Sequence, residues 1–405
     1  MQTLSQTKIE IETDDEVRAR LIAAARDLAP RIAARAADNE RARRISDETI
    51  AEAADAGFFK ILVPKQRGGY QLDWETQCRV IVALGQGDGS VGWQLSFFIL
   101  HNWLYLLLPE QAQQEIYGRR GFGIGPVLLA PADVKARKVE GGYILSGRSR
   151  WATGINHAEW ILVGTKVEPE PGEEARTAMR EFLVPRADVV VHDTWFTSGM
   201  CATGSHDVEY PDIFVPEYRT ADLDASIAGN GLGFKMYDAP QYRVPQFVSM
   251  IFGATAPQVA IAKGAVDEFH KKVRGYVSPV MGTQTINNIP SLVRLAQAKV
   301  RVDAAEQYLY SLARRLLEWA AEGPLTPEQR VMVRAGCAWV ANEAREIVQF
   351  VAATAGSSAF MRDQPMQRYL RDITMMANHF YFDQDTAFEP LGRVMVGLDA
   401  NTRLS

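Results

Sequence analysis

The chain has 405 residues, of which 47% are hydrophobic and 23% charged, a length and composition typical of a globular protein with two or three domains. A net charge of -5 without a basic cluster argues against nucleic-acid binding. Three widely spaced cysteines provide neither a disulfide framework nor a zinc motif, so we expect no metal site. The cysteine usage and the acidic, polar N-terminus together favour a cytoplasmic location.

The first third of the chain predicts helices. Thr13 and Glu16 match a capping box, which starts a helix that runs to about residue 42. Ser46 can cap a second helix that Gly57 closes. Helical spacing returns over 74–85 and 92–108. The second of these segments is apolar, but it is shorter than the roughly 20 residues of a membrane span and contains polar side chains, so we expect a buried helix and no membrane partner.

The middle of the chain, from about residue 121 to 219, changes in texture. Glycine and proline become frequent, and short β-rich runs lie between turn signals. The runs are YILSGRSRWA, WILVGTKV, REFLVPRADVVV and HDVEYPDIFVP. This pattern predicts a compact antiparallel sheet or barrel, with an exposed hairpin loop over 167–177.

The last third predicts long helices. An apolar seam with steps of three and four residues runs through Leu295, Ala298, Val302, Ala305, Leu309, Leu312, Leu316 and Trp319. Gly323-Pro324 ends this helix, and Thr326 caps the next one, which runs to about residue 354. With helices over 258–276 and 366–380, the pattern predicts a four-helix bundle. The fold class is α+β, with a helical domain over 1–120, a β-domain over 121–225 and a helical bundle over 226–405.

Four motifs in order resemble the acyl-CoA dehydrogenase superfamily. They are the turn Pro64–Gly69, the WATG run Trp151–Gly154, the segments Gly199–Asp207 and Asp212–Pro216, and Arg274. The sequence around Arg371-Asp372 and His379 also resembles this superfamily. The run LSGRSRWATGINHAEWILVG is closer to one branch, the two-component flavin monooxygenases. This resemblance implies an acyl-CoA dehydrogenase-like fold and a homotetramer. It also implies hydroxylation of a phenolic or related aromatic small molecule through a flavin C4a-hydroperoxide.

The resemblance assigns cofactors and partners as well. Reduced FMN or FAD would come from a separate NAD(P)H:flavin reductase, and O₂ would be the cosubstrate. The glycine-rich run GFGIG at 121–125 is followed by Pro126 and lacks a strand–turn–helix context, so it is no dinucleotide fingerprint. The chain therefore shows no NAD(P)H site of its own, in agreement with electrons that arrive on a carried flavin.

Two histidines are the catalytic candidates. His379 lies about where the dehydrogenases of the superfamily place a catalytic carboxylate, and an imidazole titrates near neutrality and can donate as well as accept. His101 lies in an aromatic helix and matches the branch's second histidine. Packing provides an alternative for both, with His101 as a core histidine and His379 as a helix cap. The residues leave open which histidine acts as base and which serves the peroxide.

The flavin-binding candidates fall into two groups. Trp151, Thr153 and Gly154 would contact the flavin ring, with the Thr153 hydroxyl near N5. Arg274 and the turn Gly356, Ser357 and Ser358 would hold the flavin phosphate across a subunit interface. A solvated basic face at Arg274 and a simple helix stop at Gly356 are the alternatives.

Other functions remain open from the residues alone. A true acyl-CoA dehydrogenase or oxidase would need a base elsewhere, and Asp383, Asp385 and Glu389 are the nearby candidates. Oxygenation at nitrogen, sulfur or an indole would fit the same scaffold. A non-enzymatic ligand-binding protein would tolerate substitution of Thr153 and His379.

Overall fold

A computed structural model describes residues 12–129, 133–169, 178–277, 282 and 284–402. The N-terminal region contains helices α1 (Asp14–Ala42), α2 (Asp47–Asp55), α3 (Trp74–Leu84), α4 (Gly89–Leu104) and α5 (Glu110–Tyr117). The predicted capping box at Thr13 and cap at Ser46 are confirmed, because each side chain accepts from the backbone N–H three residues on. Helix α5 was not predicted.

The middle region forms two four-stranded sheets. The strands are β1 (Val127–Leu128), β2 (Val134–Val139), β3 (Gly142–Ala152), β4 (Trp160–Lys166), β5 (Met179–Pro185), β6 (Val190–His192), β7 (His206–Pro216) and β8 (Thr220–Asp222). Their orders are β1–β4–β5–β8 and β2–β3–β7–β6. The pairing is antiparallel as predicted, apart from the parallel pair β1–β4. Of the predicted hairpin loop between β4 and β5, residues 170–177 lie outside the described residues.

The C-terminal region contains the predicted long helices. The helices are α6 (Leu223–Ile227), α7 (Gly233–Met236), α8 (Gln246–Gly275), α9 (Ile289–Glu322), α10 (Pro327–Ala352), α11 (Pro365–Ala377) and α12 (Gln384–Met395). The apolar seam of α9 is buried from Ala298 to Leu316, and Thr326 forms the predicted capping box.

Three details of the C-terminal prediction were wrong. Helix α8 starts twelve residues earlier than predicted and passes through Pro257, because burial of almost every side chain in its first half outweighs the lost hydrogen bond. Helix α11 ends at Ala377, so His379 lies beyond it and caps the short 3₁₀ turn Phe380–Phe382. Helix α12 was not predicted.

One hydrophobic core joins the N-terminal and C-terminal helices, and the inner faces of the two sheets form a second. Helices α4 and α8 approach closely, since a methyl group added at Gly92 would lie 3.7 Å from Pro257 Cβ. The domain limits at 120 and 225 stay a prediction. Within the described residues, no helix is long and apolar enough to cross a membrane.

Candidate active site

The WATG turn lies at the end of β3 and rests on α4. Pairing between β3 and β7 shifts register between Ser149 and Ala152, and Trp151 in this bulge has φ +66° with 67% of its surface exposed. Gly154 has φ +74°, and a methyl group there would lie 2.5 Å from Phe98 Cζ. Only glycine therefore fits at position 154 without backbone strain or displacement of α4.

The Thr153 hydroxyl starts a chain of hydrogen bonds. Its Oγ1 lies 2.9 Å from Ser205 Oγ, which lies 2.8 Å from Thr203 Oγ1. Thr203 Oγ1 donates in turn to the Met200 carbonyl at 2.9 Å. Thr203 and Ser205 are buried. Neither residue was identified from the sequence, where the hydroxyl-bearing run ATGS before β7 was the available signal.

A buried carboxyl holds the far end of this chain. Met200 has φ +55°, and its backbone N–H donates to Asp372 Oδ1 at 2.6 Å. The other oxygen, Oδ2, is buried and has no hydrogen-bond partner among the described residues. Burial raises the pKa of Asp372 to about 7. Arg371 beside it donates to the Ser198 carbonyl and pairs with Glu40 at 2.6 Å, so α11 is tied to this loop at two adjacent residues.

The two candidate histidines lie at opposite ends of one aromatic row. On one face of α4, the ring centres of Trp93 and Phe97 are 4.9 Å apart, and those of Phe97 and His101 are 5.4 Å apart. At the other end of the row, the His379 ring lies 5.8 Å from Trp93. Thus α4 presents Trp93, Phe97 and His101 on one face, and Gln94 and Phe98 to the WATG turn on the adjacent face.

The hydrogen bonds of the two histidines assign opposite tautomers. His101 Nδ1 lies 2.7 Å from the Gly125 carbonyl, which can only accept, so Nδ1 carries the proton and Nε2 is left as an acceptor. His379 Nδ1 accepts from the Tyr381 N–H at 3.4 Å, which leaves the proton on Nε2. Burial lowers the pKa of His101 to about 4 and the pKa of His379 to about 4, so both rings are neutral at pH 7.

A buried acceptor beside the WATG turn points to a missing donor. His157 Nε2 lies 3.0 Å from the Ile45 carbonyl, which is nearer than the Arg44 Nε donor at 3.4 Å, so Nε2 carries the proton. Nδ1 is then an acceptor, and Gln94 Nε2 donates to it at 3.0 Å. Among the described residues, Gln94 Oε1 is therefore left without a hydrogen-bond partner, although the side chain is fully buried and lies under Gly154. An unsatisfied buried acceptor is costly. A planar ligand that carries N–H groups, as flavin does, fits this surrounding and the glycine cradle.

The phosphate candidates form a separate group near the end of α8. Lys272 Nζ donates to Ser358 Oγ at 3.2 Å and to the Ala355 carbonyl, so it joins α8 to the Gly356–Ser358 turn. A groove of about 480 Å³ lies between them. Arg274 is exposed in the last turn of α8. The sequence indicated Arg274 for this place, but the residue that contacts the turn is Lys272.

This group is far from the WATG turn within one chain. Pro257 packs beside Gly92 of α4, close to Gln94 under the turn. From Pro257 to Lys272, α8 advances by about 22 Å. The two predicted flavin-binding groups are therefore well separated along the helix.

The carboxylates proposed as alternative bases do not enter the site. Asp383, Asp385 and Glu389 are all exposed, and Asp383 caps α12 by accepting from the Thr386 N–H at 2.9 Å. Among the described residues, no group of three His, Cys, Asp or Glu side chains is placed to hold a metal ion.

Two family models match the chain, the acyl-CoA dehydrogenase N-terminal domain over residues 14–117 and the acyl-CoA dehydrogenase C-terminal domain over residues 252–384. A pigment production hydroxylase from Rhodococcus sp. (strain ATCC 21145) is 32% identical over 390 residues, which cover 96% of this chain and 100% of that protein. The chain belongs to the acyl-CoA dehydrogenase superfamily.

Two further similar proteins indicate the branch of the superfamily to which this chain belongs. The p-hydroxyphenylacetate 3-hydroxylase oxygenase component of Acinetobacter baumannii is 28% identical over 91% of this chain and 87% of that protein. The structure of XiaF from Streptomyces sp. in complex with FADH2 and glycerol has a TM-score of 0.87 and 25% identity, covering 96% of this chain and 98% of that chain. The predicted family and the predicted fold class are confirmed, and this superfamily member lies in the flavin-dependent monooxygenase branch.

Proposed function

We propose that this chain is the oxygenase component of a two-component flavin-dependent monooxygenase that hydroxylates a phenolic or related aromatic small molecule. Bound reduced FMN or FAD supplies the activation of O₂, and a separate NAD(P)H:flavin reductase supplies the reduced flavin. The observation that carries the proposal is the pair of neutral histidines with opposite tautomers at the two ends of the aromatic row. The names of the relatives, a hydroxylase and an oxygenase component, support it.

Residues of this chain would hold the flavin by two regions. Trp151, Thr153 and Gly154 would contact the ring, with the Thr153 hydroxyl toward N5. Arg274 and the Gly356–Ser358 turn would bind the phosphate, and Lys272 adds a second cation there. The distance along α8 between the regions supports binding across a subunit interface.

His101 is the proposed proton acceptor. Its Nε2 can accept a hydrogen bond from a phenolic hydroxyl and orient the ring. A phenol pKa of about 10 against a histidine pKa of about 4 makes complete proton transfer uphill by about 8 kcal/mol. His101 therefore holds the substrate proton and takes it only as oxygen insertion makes the hydroxyl more acidic.

His379 is the proposed donor. Its Nε2–H can donate to the oxygen atom that leaves as water, which a carboxylate in the ionised form cannot do. Trp93 and Phe97 between the histidines form an apolar wall that excludes water from the reaction.

Rapid mixing of the anaerobic reduced-flavin complex with ¹⁸O₂ and a panel of phenols tests the proposed function. The expected product is the phenol with a single labelled oxygen, detected by mass spectrometry. His101→Gln is expected to lower the product yield about 100-fold, and His379→Gln to divert oxygen to H₂O₂. His192→Gln is the control, because His192 pairs with Glu209 at 2.7 Å on the sheet. Absence of labelled product with every phenol contradicts the proposal.

The protein is proposed to be a homotetramer. Large apolar side chains are exposed on the C-terminal helices and the Gly356–Ser358 turn region. They include Ile289, Val300, Phe360, Met361, Met395 and Val396. Assembly into a tetramer would remove these side chains from water. The expected solution mass by light scattering is four times the 45.0 kDa of the chain, and a monomeric mass contradicts the assembly.

Mixed assemblies test the cross-subunit site. Arg274→Ala and Thr153→Val are each expected to weaken binding of reduced flavin. If Arg274 serves a neighbouring subunit, tetramers assembled from both variants regain sites with both native residues and recover part of the binding. If the two residues serve one chain, the mixture binds no better than the variants alone.

We also propose a cytoplasmic location, because Cys78, Cys201 and Cys337 are all free thiols. Fractionation of the source cells tests this.

A further inference from the structure

The hydroxyl chain behind Thr153 has a fixed direction. It ends on the Met200 carbonyl, which has no proton to donate, so Thr203 Oγ1 donates to it at 2.9 Å. Because each hydroxyl has a single proton, Ser205 then donates to Thr203 at 2.8 Å, and Thr153 donates to Ser205 at 2.9 Å. Thr153 therefore has only lone pairs left for a partner on its other side.

The surroundings keep this direction in place. Met200 is held from the other side by Asp372, and Trp195 Nε1 donates to the same Met200 carbonyl at 3.0 Å. Thr203 and Ser205 are only 2% and 3% exposed, so water does not compete for their protons. The Gly154 N–H donates to the Thr203 carbonyl at 3.0 Å, so the backbone next to Thr153 is also tied to Thr203.

The direction of the chain discriminates between two states of a flavin. The N5 atom of oxidised flavin accepts a hydrogen bond, whereas N5 of reduced flavin carries a hydrogen and donates. We propose that Ser205 and Thr203 are positioning residues that make Thr153 an acceptor, so that the site binds reduced flavin more tightly than oxidised flavin. This inference rests on the proposed function, since it requires flavin at the WATG turn.

The test measures binding rather than turnover. Dissociation constants for oxidised and for dithionite-reduced FMN and FAD are determined anaerobically by equilibrium dialysis. The native protein is expected to favour the reduced form. Ser205→Ala frees the Thr153 proton to donate to oxidised N5, and the preference is expected to fall about tenfold, or by about 30 mV in the potential of the bound two-electron couple. Thr203→Val is expected to act in the same direction with a smaller effect.

The control is Ser149→Ala. Ser149 is a buried serine on β3, four residues before Thr153, and its hydroxyl lies 3.1 Å from the Tyr210 hydroxyl, outside the hydroxyl chain. This variant loses a comparable hydrogen bond but leaves the hydroxyl chain behind Thr153 intact. Its preference for reduced flavin is therefore expected to be unchanged. Urea unfolding of each variant checks that the fold is retained, and Thr203→Val serves as the test if Ser205→Ala does not fold.

The outcomes separate this inference from the proposed function. If neither flavin state binds the native protein, the proposed function and the inference both fail. If flavin binds but Ser205→Ala and Thr203→Val leave the ratio of the two dissociation constants unchanged, the inference alone is wrong. Equal affinity of the native protein for both states also overturns it.

Discussion

Replacement of Asp372 by Asn is expected to flatten the pH dependence of stability. The carboxyl is buried, and burial raises the pKa of Asp372 from 3.8 to about 7 in the folded protein. Between these values the folded state keeps a proton that the unfolded state releases. The contribution of Asp372 to the free energy of unfolding therefore falls as pH rises from about 4 to 7, and is level above. The amide of the Asp372→Asn variant has no proton to release in this range.

The size of the effect follows from the two pKa values. Between pH 5 and pH 8, linkage predicts a loss of about 3 kcal/mol in the native protein that the Asp372→Asn variant avoids. The amide oxygen of the variant can still accept from the Met200 N–H, so the loop is expected to be retained. Urea unfolding of both proteins at pH 5 and pH 8 measures the difference.

A second variant provides the control. Asp383 is exposed, and hydrogen bonds from Thr386 hold the pKa of Asp383 below its usual value. It is ionised at both pH values, so Asp383→Asn is expected to change stability equally at pH 5 and pH 8. If Asp372→Asn also shows the native pH slope, the reasoning about the buried carboxyl is refuted.

Three more predictions concern the active site. Gly154→Ala should destabilise the fold by about 1–3 kcal/mol more than Gly141→Ala, because both have positive φ but only a methyl group at 154 meets Phe98; equal urea midpoints contradict this. Because burial lowers the pKa of each candidate histidine, His101 and His379, to about 4, the hydroxylation rate should be level from pH 6 to 8 and fall toward pH 4; a midpoint near 6.5 refutes it. Trp151→Ala should change the free energy of unfolding by less than about 0.5 kcal/mol, since the side chain is mostly exposed, yet weaken reduced-flavin binding measured by dialysis.

Local signals in the sequence predicted local structure well. The capping boxes at Thr13 and Thr326 depend on contacts within one helical turn, and both are present. The start of α8 was wrong because Pro257 is a strong helix breaker locally, whereas packing against α4 decides the outcome. Likewise, apolar periodicity predicted that α11 continues to residue 380, but this periodicity does not determine where the helix ends, and α11 ends at Ala377.

The candidate site could be predicted only in part. Trp93, Phe97 and His101 are spaced by four residues, a spacing that puts them on one helix face, but contact with His379 depends on how α11 packs. Ser205 lies 52 residues from the hydroxyl it contacts, and no local pattern reports such a hydrogen bond. The tautomers were also beyond sequence reasoning, since each depends on one backbone partner.

The two working faces of α4 have a consequence for how this protein can diversify. Trp93, Phe97 and His101 serve the aromatic row, while Gln94 and Phe98 support the WATG turn. A single inserted or deleted residue within α4 would rotate every later side chain by about 100° and disconnect both faces together. Changes in the side chains that α4 contributes to these two features must therefore arise by substitution, with the length of the helix kept constant.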